Sequence, residues 1–209
     1  MTTTGGIVYV VDDEPGMRKA LSRLLRAEGF DPRALPTATE FLSAYRADET
    51  ACLILDVALP ELDGMELQCR LKERRLRVPI IFLTGHGDIP MSVQAIKAGA
   101  VDFLTKPVND ASLLHAVRTG LQLAQVWRTE SNANESLAAR HARLTPRERE
   151  VMEQVVGGKL NKQIAADFGT GEQNIKIHRG RVMEKMGVAS LAELVRAAER
   201  LGIGPQPRL

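Results

Sequence analysis

Five apolar stretches of strand length punctuate the first part of the chain: Ile7–Val11, Asp31–Leu35, Cys52–Val57, Ile80–Thr84 and Asp102–Leu104. The third and fourth are nearly continuous in hydrophobicity, as strands covered on both faces should be. Between them the apolar period lengthens to that of a helix. Met17, Ala20, Leu21, Leu24 and Leu25 share one helical face, and Gly29 is placed to end that helix in a left-handed cap. Thr37-Ala-Thr-Glu40 reads as a capping box that opens the next. Strands alternating with helices predict a doubly wound parallel sheet of five strands over residues 1–124.

From Gln125 to Arg143 the chain reads QVWRTESNANESLAARHAR, polar with few apolar anchors. This predicts an interdomain linker over 125–143. Leu113, Leu114, Val117, Leu121 and Ala124 hold helical spacing into it, so part of it can continue the preceding helix, although Gly120 weakens that continuation by about 1 kcal/mol. Trp127 is a candidate linker anchor. Beyond it every start and stop belongs to helices. Thr145-Pro-Arg-Glu148 is a capping box with proline in the first turn, and Gly157-Gly158 ends that helix. A short helix follows at 161–168, Gly169 and Gly171 bracket a turn, a longer helix runs to Met186, and Ser190-Leu-Ala-Glu193 opens the last. Residues 144–209 are thus predicted to be a small all-α domain with a helix-turn-helix at about 161–180.

Composition adds compartment and charge. The 209 residues are 44% apolar and 26% charged, enough for two small domains. No run approaches the ~18 apolar residues of a membrane span, and MTTTGG lacks the features of a secretion signal, so a cytoplasmic location without membrane contact is expected. Cys52 and Cys69 have no metal-ligand spacing and are expected to be small buried residues. Residues 140–209 carry 13 basic against 8 acidic side chains, whereas residues 1–124 carry 14 against 16. The basic excess favours a nucleic-acid partner for the second domain.

In a parallel sheet, ligand chemistry gathers at the carboxyl ends of the strands. Four of those ends here carry polar groups: Asp12-Asp13-Glu14, Asp56, Thr84-Gly85 and Lys106-Pro107. Carboxylates about 4 Å apart repel by roughly 4 kcal/mol per pair at an effective dielectric near 20. A hard divalent cation such as Mg²⁺ offsets this, Lys106 adds fixed positive charge, and the Thr84 hydroxyl can donate to a third oxygen. Such a set suits a carboxylate that attacks phosphorus and holds an acyl phosphate.

With VVDDE, LILDVALPELDG, IIFLTGHGD and KAGAVDFLTKP in this order, residues 7–108 resemble the flavodoxin-like receiver domain of response regulators. The resemblance implies Asp56 as phosphoacceptor, and Asp12, Asp13, Asp56 and the Ala58 carbonyl as Mg²⁺ ligands. It also implies Thr84 and Lys106 as phosphoryl-binding groups, Phe103 as the switch aromatic, and a cis Lys106-Pro107 bond. Leu59 stands where methionine is commoner. His86 is read as a loop residue, as in the FixJ branch that TGHGDIPMSVQAIKAGA resembles, and Arg70, Lys72, Arg74, Arg75 and Arg77 as a solvated helix face. An aspartyl-phosphate phosphatase, which needs a second acid two residues after the nucleophile, is disfavoured by Ala58. A receiver that dimerises without phosphate is disfavoured by the complete acidic site.

Residues 144–203 resemble the LuxR-type helix-turn-helix of the FixJ/NarL group. Ile175, Val182 and Met186 share the packing face of the third helix, and Lys176, Arg179 and Arg181 lie off it, as in a helix for the major groove. The resemblance implies Lys176, Ile177, His178 and Arg179 as DNA-facing, joined by Arg181, with Lys162 and Lys159 near phosphates. Gly171, Asn174 and Gly180 depart from the family pattern, and Thr170 is a substitute helix cap. The expected whole is a transcription regulator rather than an enzyme, although the receiver would catalyse its own phosphoryl transfer and autodephosphorylation. Its expected partners are a sensor histidine kinase, promoter DNA, a second copy of itself when phosphorylated, and RNA polymerase.

Overall fold

The computed structural model describes residues 5–85 and 89–204. His86 lies outside them. The chain divides into two compact units, 1–129 and 130–209.

In the first unit β1 (Ile7–Val11), β2 (Asp31–Leu35), β3 (Ala51–Asp56), β4 (Ile80–Thr84) and β5 (Asp102–Thr105) form one parallel sheet in the order β2-β1-β3-β4-β5. The strand order reverses direction at β1 and β3, the position where doubly wound sheets place their ligands. Strand side chains alternate between two cores. Tyr9, Val11, Leu53, Leu55 and Phe82 pack on one face with Phe41 of α2 (Ala38–Ala44), Leu67 of α3 (Gly64–Glu73) and Ala95 of α4 (Ile89–Lys97). Val8, Val10, Cys52, Ile54, Ile81 and Leu83 pack on the other with Leu21 and Leu25 of α1 (Pro15–Ala27) and Leu113 and Val117 of α5 (Asp110–Ala142). Gly120 belongs to this second core. A Cβ there would stand 3.2 Å from the Cβ of Cys52, so the residue that weakens the helix also lets it lie close on β3.

Helix α5 runs through the predicted linker to Ala142. After Gly120 no glycine or proline interrupts it, and Leu, Gln, Ala, Glu and Arg hold a helix at little cost. Trp127 is half-buried under the Arg77 guanidinium, 4.3 Å from the ring centroid, and Arg128 donates to the Thr50 hydroxyl at 3.1 Å. Arg77 is therefore more than one charge on a solvated face. Cys69 also departs from expectation. It lies on the outer side of α3, exposed, whereas Cys52 is fully buried and its thiol is pushed up to about 12 by desolvation.

The second unit is a helical cluster of α6 (Pro146–Val156), α7 (Asn161–Asp167), α8 (Glu172–Met186) and α9 (Leu191–Arg200), with Leu137 from the end of α5 packed against it. Val151, Met152, Ile164, Ile175, Val182, Met186 and Leu194 make its core. Thr145 and Glu148 form the complete capping box at the start of α6. At the start of α8, Gly171 supplies no side-chain cap. Thr170 does not replace it, because its hydroxyl accepts from the Asn174 amide at 3.0 Å instead.

Candidate functional site

The carboxyl ends of β1, β3 and β4 bring Asp12, Asp56 and Thr84 to one site, with Asp56 and Thr84 lining its pocket. All three are buried, while Asp13 beside them is exposed. Carboxylate oxygens of Asp12, Asp13 and Asp56 lie within 4.8 Å of one another. Lys106, reaching in from the end of β5 just before a cis peptide bond to Pro107, donates at 2.8 Å to the Oδ2 atoms of both Asp12 and Asp56. Burial pushes its ammonium pKa down, but the two carboxylates outweigh this and hold it above the ordinary lysine value. The remaining oxygens are oriented by the chain itself. Asp12 Oδ1 accepts from the Glu14 N–H at 2.8 Å, and Asp56 Oδ1 accepts from the Ala58 N–H at 3.1 Å.

Phe103 is half-buried in β5, its ring tilted against Phe82 with centroids 6.0 Å apart. Ala58 is exposed at the rim and Leu59 is buried in the core below it. Two contributors carried no local sequence pattern. Met91 of α4 lines the pocket opposite the acidic loop, and Arg18 of α1 donates to the main-chain carbonyls of Asp12 and Asp13 at 2.7 and 2.9 Å.

The donor set fits a hard divalent cation. All three side-chain donors are carboxylates, and that of Asp13 makes no hydrogen bond or ion pair among the described residues. An oxygen-only set with a carboxylate still open to a ligand is what Mg²⁺ selects.

On the second unit, α8 buries Ile175, Val182 and Met186 and leaves Lys176, Ile177, Gly180 and Arg181 exposed, with Lys162 exposed on α7. Ile177 is 45% exposed, an apolar side chain only partly covered among the described residues. Arg179 behaves differently from its neighbours. It is half-buried, and its guanidinium donates to the Asn161 side-chain oxygen at 3.2 Å, tying α8 to the start of α7. His178 is likewise half-buried, and its Nδ1 has no hydrogen-bond partner among the described residues. Lys159 pairs with Asp167 at 2.6 Å. A Cβ at Gly180 would meet nothing within 4 Å among the described residues, so their packing does not account for this mid-helix glycine as it does for Gly120.

An acidic pocket at the switch point of a five-stranded parallel sheet, carried on one chain with a helix-turn-helix, defines a response regulator of transcription. The model of response regulator receiver domains matches residues 8–118, and that of bacterial regulatory proteins of the luxR family matches residues 142–198. Nodulation protein W of Bradyrhizobium diazoefficiens is 45% identical over 96% of this chain and 88% of its own length. Transcriptional regulatory protein FixJ of the same organism is 41% identical over 96% of this chain and 98% of its own. Among solved structures, the response regulator StyR shares 41% identity with a TM-score of 0.80, covering 93% of this chain and 98% of its own. Full-length FixJ from B. japonicum shares 41% with a TM-score of 0.58, covering 96% and 98%. The chain belongs to the two-component response regulators that join a receiver to a LuxR-type DNA-binding domain, the group of the FixJ proteins. Among the described residues no helix is long and apolar enough to cross a membrane.

Proposed function

We propose that Asp56 takes a phosphoryl group from a sensor histidine kinase and that this switches the second unit's hold on promoter DNA. The observation that carries this reading is the Lys106 ammonium set at 2.8 Å from both Asp12 and Asp56. An Asp56 oxygen attacks phosphorus, forming the P–O bond of an acyl phosphate as the P–N bond to the kinase histidine breaks. Lys106 then turns from the carboxylate toward a phosphoryl oxygen, and the Thr84 hydroxyl donates to another. Asp12, Asp13 and Asp56, with the Ala58 carbonyl, are the residues that would hold Mg²⁺. When bound, the ion neutralises the converging oxygens and polarises the phosphoryl group. Water admitted to the same pocket hydrolyses the acyl phosphate and resets the switch.

Movement of Thr84 toward the phosphate frees space for Phe103 to turn inward, which alters the surface of α4, β5 and α5. Val93 and Ile96 of α4 are 46% and 47% exposed there, an apolar surface for pairing with a second copy. Two copies present two α8 helices to half-sites about one helical turn apart. Lys176, Ile177 and Arg181 lie toward base edges, Lys162 and Lys159 lie toward phosphates, and the bound dimer engages RNA polymerase. His178 and Arg179 border the groove beside them, Arg179 also fixing α8 against the start of α7 through Asn161. The kinase and the promoter together set the protein in the cytoplasm.

Incubation with acetyl phosphate and Mg²⁺ tests the first step by intact mass. The wild type gains one phosphoryl group and Asp56→Asn gains none. A phosphorylated Asp56→Asn protein would refute the assignment.

A further inference from the structure

Arg18 carries a full positive charge beside the acidic loop, yet among the described residues it pairs with none of the carboxylates. Its Nη1 donates to two consecutive main-chain carbonyls instead, those of Asp12 at 2.7 Å and Asp13 at 2.9 Å. Two carbonyl oxygens reach one nitrogen only when both peptide planes flanking Asp13 tilt toward α1, so this contact sets the backbone on either side of that residue. Arg18 can act as a fixed point because it stands in the first turns of α1, where its own N–H donates to the Glu14 carbonyl at 3.1 Å.

The two acidic residues depend on this clamp unequally. The Asp12 carboxylate is buried and held from both sides, by the Glu14 N–H and by Lys106. The Asp13 carboxylate is exposed and no side chain or N–H among the described residues orients it, although it lies within 4.8 Å of the other two. Its position therefore follows its backbone, and Arg18 holds the Asp12 and Asp13 carbonyls of that backbone. We propose that Arg18 is a positioning residue that holds Asp13 in place to ligate the divalent cation. The inference rests on the reading above, in which Asp12, Asp13 and Asp56 bind that cation.

Charge and clamp predict opposite signs, which makes the role testable. A nearby guanidinium repels a divalent cation, so removing it without other consequence tightens binding. Loss of the clamp weakens binding, because residues that orient metal ligands are typically worth ten- to a hundredfold in affinity, and about tenfold is expected here. The experiment is calorimetric titration of Mg²⁺ into the unphosphorylated full-length protein, as wild type, Arg18→Ala, Arg18→Lys, Asp13→Asn and Arg118→Ala. The last loses only a surface ion pair with Glu28 beyond the far end of α1. Arg18→Ala is expected to bind about tenfold more weakly at an unchanged melting temperature, and Arg118→Ala to match the wild type. Arg18→Lys, whose ammonium can still donate to carbonyls, is expected to recover part of the loss and carries the test if the alanine protein unfolds. Raising Mg²⁺ should restore the rate at which Arg18→Ala is phosphorylated by acetyl phosphate. Wild-type or tighter affinity in both Arg18 variants, while Asp13→Asn fails to bind, overturns this inference and leaves the cation site standing. Failure of the wild type to bind Mg²⁺ overturns the reading beneath it.

Discussion

Glu148 is a charged side chain within a core, only 2% exposed. Burial pushes its carboxyl pKa up, but hydrogen bonds from Lys185 at 2.6 Å and from Thr145 outweigh that and hold it below the ordinary glutamate value. A carboxyl whose folded pKa is depressed stabilises the fold above its unfolded pKa of about 4.3, and that stability is lost as pH falls through the folded value. The second unit should therefore lose stability as the pH falls below the ordinary glutamate range and on through the lower folded value. Glu148→Gln, neutral throughout, should be less stable at pH 7 and show a flatter decline, as followed by circular dichroism melts of the full chain. A decline as steep as the wild type's would assign the effect to other carboxyl groups. Glu148 was legible in the sequence as half of a capping box, because its partner lies three residues away. Lys185 was not, because 37 residues separate the pair.

At the scale of elements, α5 shows how far a local reading reaches. Its polar composition suggested a linker, since residues 125–143 have few apolar side chains to bury. Helix formation needs only uninterrupted residues of adequate propensity, and the few anchors present suffice: Trp127 under Arg77 in the first unit and Leu137 on the core of the second. Arg140 adds a directed contact. Its guanidinium donates to the Met186 carbonyl at 3.1 Å, at the C-terminal end of α8 where Gly187 turns into the left-handed region with φ 65°. A cation placed there satisfies a carbonyl left open by the helix and opposes the negative end of its dipole. Arg140→Ala should destabilise the second unit by about 1–2 kcal/mol, measured by urea unfolding of the full chain. Fraying should show first as faster amide exchange over the last turn of α8. No change in either quantity would show that water replaces the guanidinium without loss.

For the molecule as a whole, the function proposed above requires the receiver to convert a change at Asp56 into a change of assembly. Exposed Val93 and Ile96 give α4 an apolar surface that costs solubility unless something covers it. With acetyl phosphate and Mg²⁺ the wild type should sediment as a dimer, whereas Ile96→Glu should remain monomeric while accepting phosphate at Asp56 normally. A dimer of undiminished stability in Ile96→Glu would move the interface away from α4. Binding of promoter DNA should weaken in parallel with the loss of dimer, since each copy alone supplies one α8.

The sequence by itself determined the two folds, the strand and helix order, and the residues at four strand ends, because these follow from apolar periods and caps that act over a few residues. Its motifs also brought Asp12, Asp13, Asp56, Thr84 and Lys106 into one site, through the common geometry of parallel strands. Only the tertiary structure decided what each of them leans on: Arg18 beneath the acidic loop, Lys106 shared between two carboxylates, and Asn161 holding Arg179 against α7. It alone showed why Gly120 lies within a helix and that Cys69 faces outward. The physical reason is the same throughout. Secondary structure is specified by neighbours along the chain, whereas a side chain's partner is chosen by distances that exist only once strands and helices have packed.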